Sequence, residues 1–332
     1  MLLSTERPLH EVHDLAVLDL DGVVYIGPDA VPGAAEGLSA ARDAGMRLAY
    51  VTNNASRTPQ GVADHLADLG FEAQAEDVVT SSQAAARLLH EQLPPGSTVF
   101  ALGGEGLHAA LDAVDLRSTT DPAEPVVAVV QGYGPKVRWR SVIDAAILVK
   151  KGLVWVATNA DMTFPTANGP GPGNGALVDL VARFAERQPQ IAGKPQTALF
   201  EETRDRIGGR APVVVGDRID TDIAGAVRMG WPGMLVMTGV TGLRELVEVP
   251  VDTRPAYIAT GLGALTAPHA APQPDGAAWV CDGWRGEVTD GRIMVTGSGD
   301  DDAWWRVVAC AAWAHLDATG TPVDIGGVRP PR

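Results

Sequence analysis

Six short apolar runs recur along the chain, and each stops at small polar or acidic residues: Leu15–Leu20, Leu48–Thr52, Val126–Val130, Val154–Thr158, Val213–Gly216 and Met234–Met237. Runs of this length, bounded by Gly, Asp, Asn and Thr, are expected to be buried strands. Between them lie Ala-rich stretches with helical periodicity, such as Ala34–Ala44, Pro59–Leu69 and Ser141–Lys150. Alternation of this kind leaves few options. Strands buried on both faces need helices above and below, which implies a parallel α/β sheet of the Rossmann-like, doubly wound type.

At 332 residues the chain is too long for one small core. The spacing suggests a core over 1–82 and 191–266, interrupted by a separate inserted α/β unit over 83–190 with its own strand set. Gly169–Gly175 (GPGPGNG) reads as a loop, neither helix nor regular strand. Residues 267–276 (APHAAPQPDG) read as a Pro-rich linker. After it, 277–332 forms a small α+β module. There Ala278–Cys281 is expected to pair with Arg292–Thr296, and Ala303–His315 to form a helix whose Trp304, Trp305 and Trp313 build the module's core. Cys281 and Cys310 read as ordinary buried thiols, with no disulfide framework or zinc site.

Charge narrows the partners. With 41 acidic against 26 basic residues the net charge is −15, which argues against nucleic acid and anionic membrane surfaces. No run of about 18 apolar residues suggests a membrane span, and Met1–His13 lacks the pattern of a secretory signal, so a cytoplasmic location is expected. A small anionic ligand remains open, because local cations decide that. Only four lysines occur, so Lys194, in Gly193-Lys194-Pro195, stands out.

The chemistry sits at the run ends. Asp19 and Asp21 are two apart on a strand end, so they face the same way, and Gly22 lets the chain turn close to an anion. Two such carboxylates repel unless a cation or a proton intervenes, and a hard divalent ion, most simply Mg²⁺, meets that need. One carboxylate can then attack phosphorus while the other handles the leaving group's proton. Thr52-Asn53-Asn54 offers a hydroxyl, amides and backbone N–H groups for phosphate oxygens; the alternative is a plain helix cap. Lys194 can neutralise a transferred phosphoryl group; the alternative is a surface turn. Asp217 ends another buried strand and suits a metal. Asp222, five residues on, either orients Lys194 or caps a helix.

Together, Asp19-Leu20-Asp21-Gly22-Val23, Thr52-Asn53-Asn54, Gly193-Lys194-Pro195 and Gly216-Asp217-Arg218-Ile219-Asp220-Thr221-Asp222 resemble the haloacid dehalogenase superfamily of phosphatases. The insert between the second and third motifs resembles the branch with a C2-type cap, as do Ala157-Thr158-Asn159-Ala160-Asp161, Phe164-Pro165-Thr166 and Leu235–Thr241. The resemblance covers about residues 12–266. It implies Asp19 as nucleophile and metal ligand, and Asp21 as general acid/base with its carbonyl on the metal. Thr52 and Lys194 would hold the phosphoryl group, with Gly22, Asn53 and Asn54 bordering it, and Asp217 would complete the Mg²⁺ ligands. Where the family often has Ser, this chain has Ala55. The implied substrate is a small phosphorylated metabolite. Within that branch the resemblance is nearest to glycerol 3-phosphate phosphatases of actinobacterial type, which the Ala-, Gly- and Arg-rich composition and the tail resemble, and it implies glycerol 3-phosphate ahead of phosphoglycolate, pyridoxal phosphate or a nucleotide monophosphate. A phosphotransferase on the same scaffold is the alternative. Relatives with this cap commonly dimerise through it, so a homodimer is expected.

Overall fold

The computed structural model describes residues 1–166 and 169–331. The chain divides into two compact units, one of residues 1–48 and 209–332, the other of 49–208.

In the first unit, Leu15–Leu18, Pro212–Gly216, Gly233–Val236 and Tyr257–Ala259 lie side by side in that order, all parallel. Every residue of these strands is buried, which is why their sequences run apolar without alternation. The register pairs Leu18 with Val215, so the two chains run out of the sheet together, one into Asp19 and the other into Gly216-Asp217. The helix Ala34–Asp43 buries Ala34, Gly37, Leu38 and Ala41.

The C-terminal part of this unit is an antiparallel sheet and one long helix. Gln273–Asp275, Ala278–Cys281, Trp284–Thr289 and Arg292–Gly297 pair in sequence order. Two expectations are corrected here. Ala278–Cys281 and Arg292–Thr296 do not pair with each other, because Trp284–Thr289 lies between them and pairs with both. That strand's polar residues and Gly286 hid it. Nor is all of 267–276 loose chain, since Gln273–Asp275 is the sheet's edge strand and His269 is buried. The helix Asp301–Thr319 is capped by Asp300, which accepts from the amides of Asp302 and Ala303. All of Ala303–Trp313 is buried in it.

The strand Arg47–Thr52 enters the second unit at Ala49, and there Tyr50–Thr52 pairs in parallel with Val78–Thr80. The helix Pro59–Asp68 starts on Thr58, whose hydroxyl accepts from Gly61 N, and Ser81–His90 starts on a Thr80/Gln83 capping box. A separate five-stranded parallel sheet runs Gln190–Ile191, Val154–Ala157, Ala128–Gln131, Thr98–Leu102, Arg117–Thr119. The helices Trp139–Lys150 and Asn174–Ala185 share a core cluster with this sheet. Gly169–Pro172 corrects the expectation of a loop: it pairs antiparallel with Thr163–Thr166. Gly and Pro disfavour strands, but a two-stranded ribbon leaves one edge free, where Pro's missing N–H does no harm. The fold is thus α/β with parallel sheets of Rossmann-like type, an inserted cap sheet and a C-terminal antiparallel sheet.

Candidate active site

In the first unit three carboxylates gather at the carboxyl ends of adjacent strands. Asp19, Asp217 and Asp222 each offer an oxygen within 4.8 Å of the others, and Asp217 and Asp222 are fully buried. Backbone geometry sets two of them. Asp19 N donates to Val215 O at 2.9 Å, continuing the strand ladder one residue past Leu18, and Asp217 lies two residues beyond Val215. Asp222 arrives from the turn Ile219–Ile223, where its Oδ2 accepts from Arg218 N at 3.2 Å.

The Gly22 turn and the segment after Gly233–Val236 enclose this cluster. Gly22 has φ +88°, and a Cβ there would stand 2.5 Å from Asp217 Oδ2. The Thr238 hydroxyl donates to Gly22 O at 2.6 Å, and Val240 N donates to Asp217 Oδ2 at 2.6 Å. A Cβ on Gly239 would collide with the same carboxylate. Nearby, the Arg218 guanidinium is engaged with Asp220, whose pKa it lowers chiefly by hydrogen bonding. Three carboxylates this close, two of them buried, require a cation or protons to coexist. All-oxygen ligands suit a hard divalent ion, so the residues fit Mg²⁺. The Asp21 side chain is exposed and stands outside this trio.

In the second unit, Thr52 ends its strand fully buried, and its Oγ1 accepts from Asn54 N at 3.0 Å. Asn54 turns its own Oδ1 to Ser56 N and Oγ, at 2.9 and 2.8 Å. Asn53 is tied to the lysine loop: its Oδ1 accepts from Lys194 N at 2.8 Å and its Nδ2 donates to Lys194 O at 3.1 Å. Lys194 is buried, and its Nζ makes a long 3.5 Å bond to Val51 O.

The residues singled out from sequence therefore fall into two groups: Asp19, Asp217 and Asp222 in one unit, Thr52, Asn53, Asn54 and Lys194 in the other. Thr238–Val240 was missed as part of the carboxylate site. Its signal was present in Leu235–Thr241, but nothing in Thr-Gly-Val announces that its amides face an acid. Asn159 and Asp161, which also bond around Asn53, stood in the Ala157–Asp161 motif without a site role, and Ser81, which does the same, was missed.

Comparison with known proteins adds independent findings. The family described as Haloacid dehalogenase-like hydrolase matches residues 16–117, and a second, described as HAD-hydrolase-like, matches 191–265. The chain is 40% identical over 320 residues to D-glycerol 3-phosphate phosphatase of Mycobacterium tuberculosis, covering 92% of this chain and 88% of that one. It is 34% identical over 243 residues to an acid sugar phosphatase of Staphylococcus haemolyticus, covering 73% and 90%. Among solved structures, the glycerol phosphate phosphatase of Mycobacterium tuberculosis in complex with magnesium matches with TM-score 0.84 and 40% identity, covering 93% of this chain and 92% of that one.

Proposed function

This chain belongs to the haloacid dehalogenase-like hydrolases and is a phosphoric monoester hydrolase, and from that premise we propose that it uses Mg²⁺ to hydrolyse glycerol 3-phosphate through a phosphoaspartate on Asp19. The observation that carries this reading is the trio Asp19, Asp217 and Asp222, converging within 4.8 Å at the ends of parallel strands. The magnesium-bound relative supports the choice of ion. Glycerol 3-phosphate is favoured because similarity to the D-glycerol 3-phosphate phosphatase extends over 92% of the chain, whereas that to the acid sugar phosphatase covers 73%.

In this mechanism an Asp19 carboxylate oxygen attacks phosphorus, and the bond from phosphorus to the glycerol oxygen breaks. Asp21, protonated, gives its proton to the departing oxygen. Asp21 then accepts a proton from water as that water attacks phosphorus. The bond to Asp19 breaks, releasing phosphate and restoring both carboxyl groups. Thr52 and the Lys194 ammonium donate to the non-bridging oxygens and balance their charge. Asp19, Asp217 and the Asp21 carbonyl would hold Mg²⁺, with Asp222 beside them, and the ion when bound would supply charge neutralisation for the phosphoryl group and the nucleophile. The inserted segment 83–190 acts as the cap that selects the substrate.

The test is phosphate release from a panel of glycerol 3-phosphate, phosphoglycolate, pyridoxal phosphate and sugar phosphates, ranked by kcat/KM. Glycerol 3-phosphate should lead, and EDTA should abolish turnover. Asp19→Asn should fold normally and lose at least about 10³-fold in kcat, as expected when a covalent nucleophile is removed. Radiolabelled phosphate should reach the wild-type protein transiently and never the variant. Metal-dependent turnover by Asp19→Asn at near wild-type rate would refute the nucleophile, and a different leading substrate would refute glycerol 3-phosphate.

A further inference from the structure

The Asn53 side chain sits where three loops meet, all in the second unit. One follows the strand Arg47–Thr52. The second, Thr158–Asp161, follows the cap strand Val154–Ala157. The third, Gly193–Pro195, follows Gln190–Ile191, which is itself an edge strand of the cap sheet, with Ile191 paired to Ala157. Asn53 Oδ1 accepts from Lys194 N, and this fixes the orientation of the amide. Its Nδ2 donates to Lys194 O at 3.1 Å and to the Asp161 carboxylate at 3.1 and 3.2 Å. Asn53 O accepts from Asn159 Nδ2 and from Ser81 Oγ, both at 2.7 Å. Gly193 packs flush against this junction: a Cβ there would lie 2.5 Å from Asn53 Oδ1 and 2.6 Å from Thr158 O.

We propose that Asn53 and Asp161 are positioning residues, Asn53 clamping the Lys194 main chain and Asp161 anchoring the clamp to the end of a cap strand, so that cap and lysine move as one piece. This rests on the reading of Lys194 as the cation of the phosphoryl site. The chemistry explains the pairing. The Asn53 amide hydrogens divide between a carbonyl and a carboxylate, and no other side chain of that size offers an acceptor and two donors in one plane. Asp in place of Asn53 keeps the bond from Lys194 N but loses both donors and sets one carboxylate against another. Asn in place of Asp161 keeps an oxygen for Asn53 Nδ2.

Four variants test this, each first checked for folding by its melting curve. N53D should lower kcat about 10- to 100-fold, the usual cost of losing a partner that orients a reactive group, with KM changed less than about threefold. D161N should stay within about threefold of wild type. The double variant N53D/D161N restores a donor–acceptor pair and should recover most of the loss. In a K194A background N53D should cost nothing further, because its effect runs through the lysine. Wild-type kcat in N53D, or a double variant no faster than N53D, would overturn the proposal; so would N53D slowing K194A as much as it slows wild type. If K194A is too slow to measure, the rescue pair decides. If N53D fails to fold, Asp161→Ala replaces it, since it removes only the anchor: a kcat loss supports the clamp and an unchanged kcat overturns it. Normal turnover by K194A would instead refute the role of Lys194 itself.

Discussion

Gly22 and Asp217 share a space that admits no Cβ. The turn after Asp19 and Asp21 needs φ +88°, a region that strains any residue with a side chain, and an added methyl would press on Asp217 Oδ2. The two demands reinforce each other, because relieving the strain by moving the turn would displace Asp19 from the acidic trio. Gly22→Ala should cost about 1–3 kcal/mol of stability, the range for strained backbone. It should also lower kcat at least about tenfold, the penalty for a small misplacement near reacting groups. Chemical denaturation and steady-state kinetics measure the two effects. A variant with wild-type stability and kcat would show that the turn is freer than its geometry indicates.

The helix Asp301–Thr319 decides how the tail relates to the rest of its unit. Its buried stretch Ala303–Trp313 is too long and too continuous for a helix with one wet face. Trp304, Trp305 and Trp313 share a core cluster with Leu235 and Ile258 of the parallel sheet and with Ile293 of the antiparallel sheet. Polar bonds fix its register. Trp313 Nε1 donates to Leu246 O at 2.8 Å, and buried Arg306 donates to Ile258 O at 2.9 Å and to Asp302 at 3.0 Å. Arg254 holds Asp317 with two 2.7 Å bonds and lies over the Trp313 ring. The tail helix is therefore an integral layer of this core, and the three tryptophans pack a core shared with the parallel sheet, which corrects the expectation of a core confined to 277–332. Trp304→Ala should cost about 3–5 kcal/mol, the range for removing a large buried aromatic, read as a lower denaturant midpoint. A loss under about 1 kcal/mol would mean that the helix is not part of the cooperative core.

At the scale of the whole molecule, a buried polar cluster joins distant parts of the sequence and sets a response to pH. His269 Nδ1 lies 2.8 Å from Leu3 O, and its Nε2 accepts from Ile258 N at 3.2 Å, so the ring is neutral with its proton on Nδ1. Burial, aided by the Arg306 guanidinium, lowers its pKa from 6.5 to about 4. His13, bonded to Tyr257 OH at 3.1 Å, is lowered in the same direction by burial. The unfolded chain binds a proton at His269 below about pH 6.5, and the folded chain only near pH 4. Its stabilisation is thus complete above pH 6.5 and is lost as pH falls towards 4. Between pH 7 and pH 5 that amounts to about 2 kcal/mol. Urea titrations at the two pH values should show this loss, and His269→Gln, which can keep both hydrogen bonds, should flatten the dependence. An equally steep dependence in the variant would place the titration elsewhere.

Local sequence determined the strands, because a strand buried on both faces must be an unbroken apolar run, and it determined which acids and hydroxyls stand at their ends. Asp19, Thr52 and Asp217 could be placed at strand ends for that reason, whereas Lys194 stood out only because lysines are few. Tertiary structure alone decided what those ends meet. That Asp222 and Asp217 join Asp19, that Val240 N binds Asp217, and that Asn53 grips Lys194 all depend on loops brought together in space from distant parts of the sequence. The strand Trp284–Thr289, with its polar residues and Gly286, and the ribbon Gly169–Pro172, built of Gly and Pro, escaped notice because neither has the composition of a buried strand. Their pairing is held by main-chain hydrogen bonds to a partner, and main-chain bonding leaves no mark on side-chain composition.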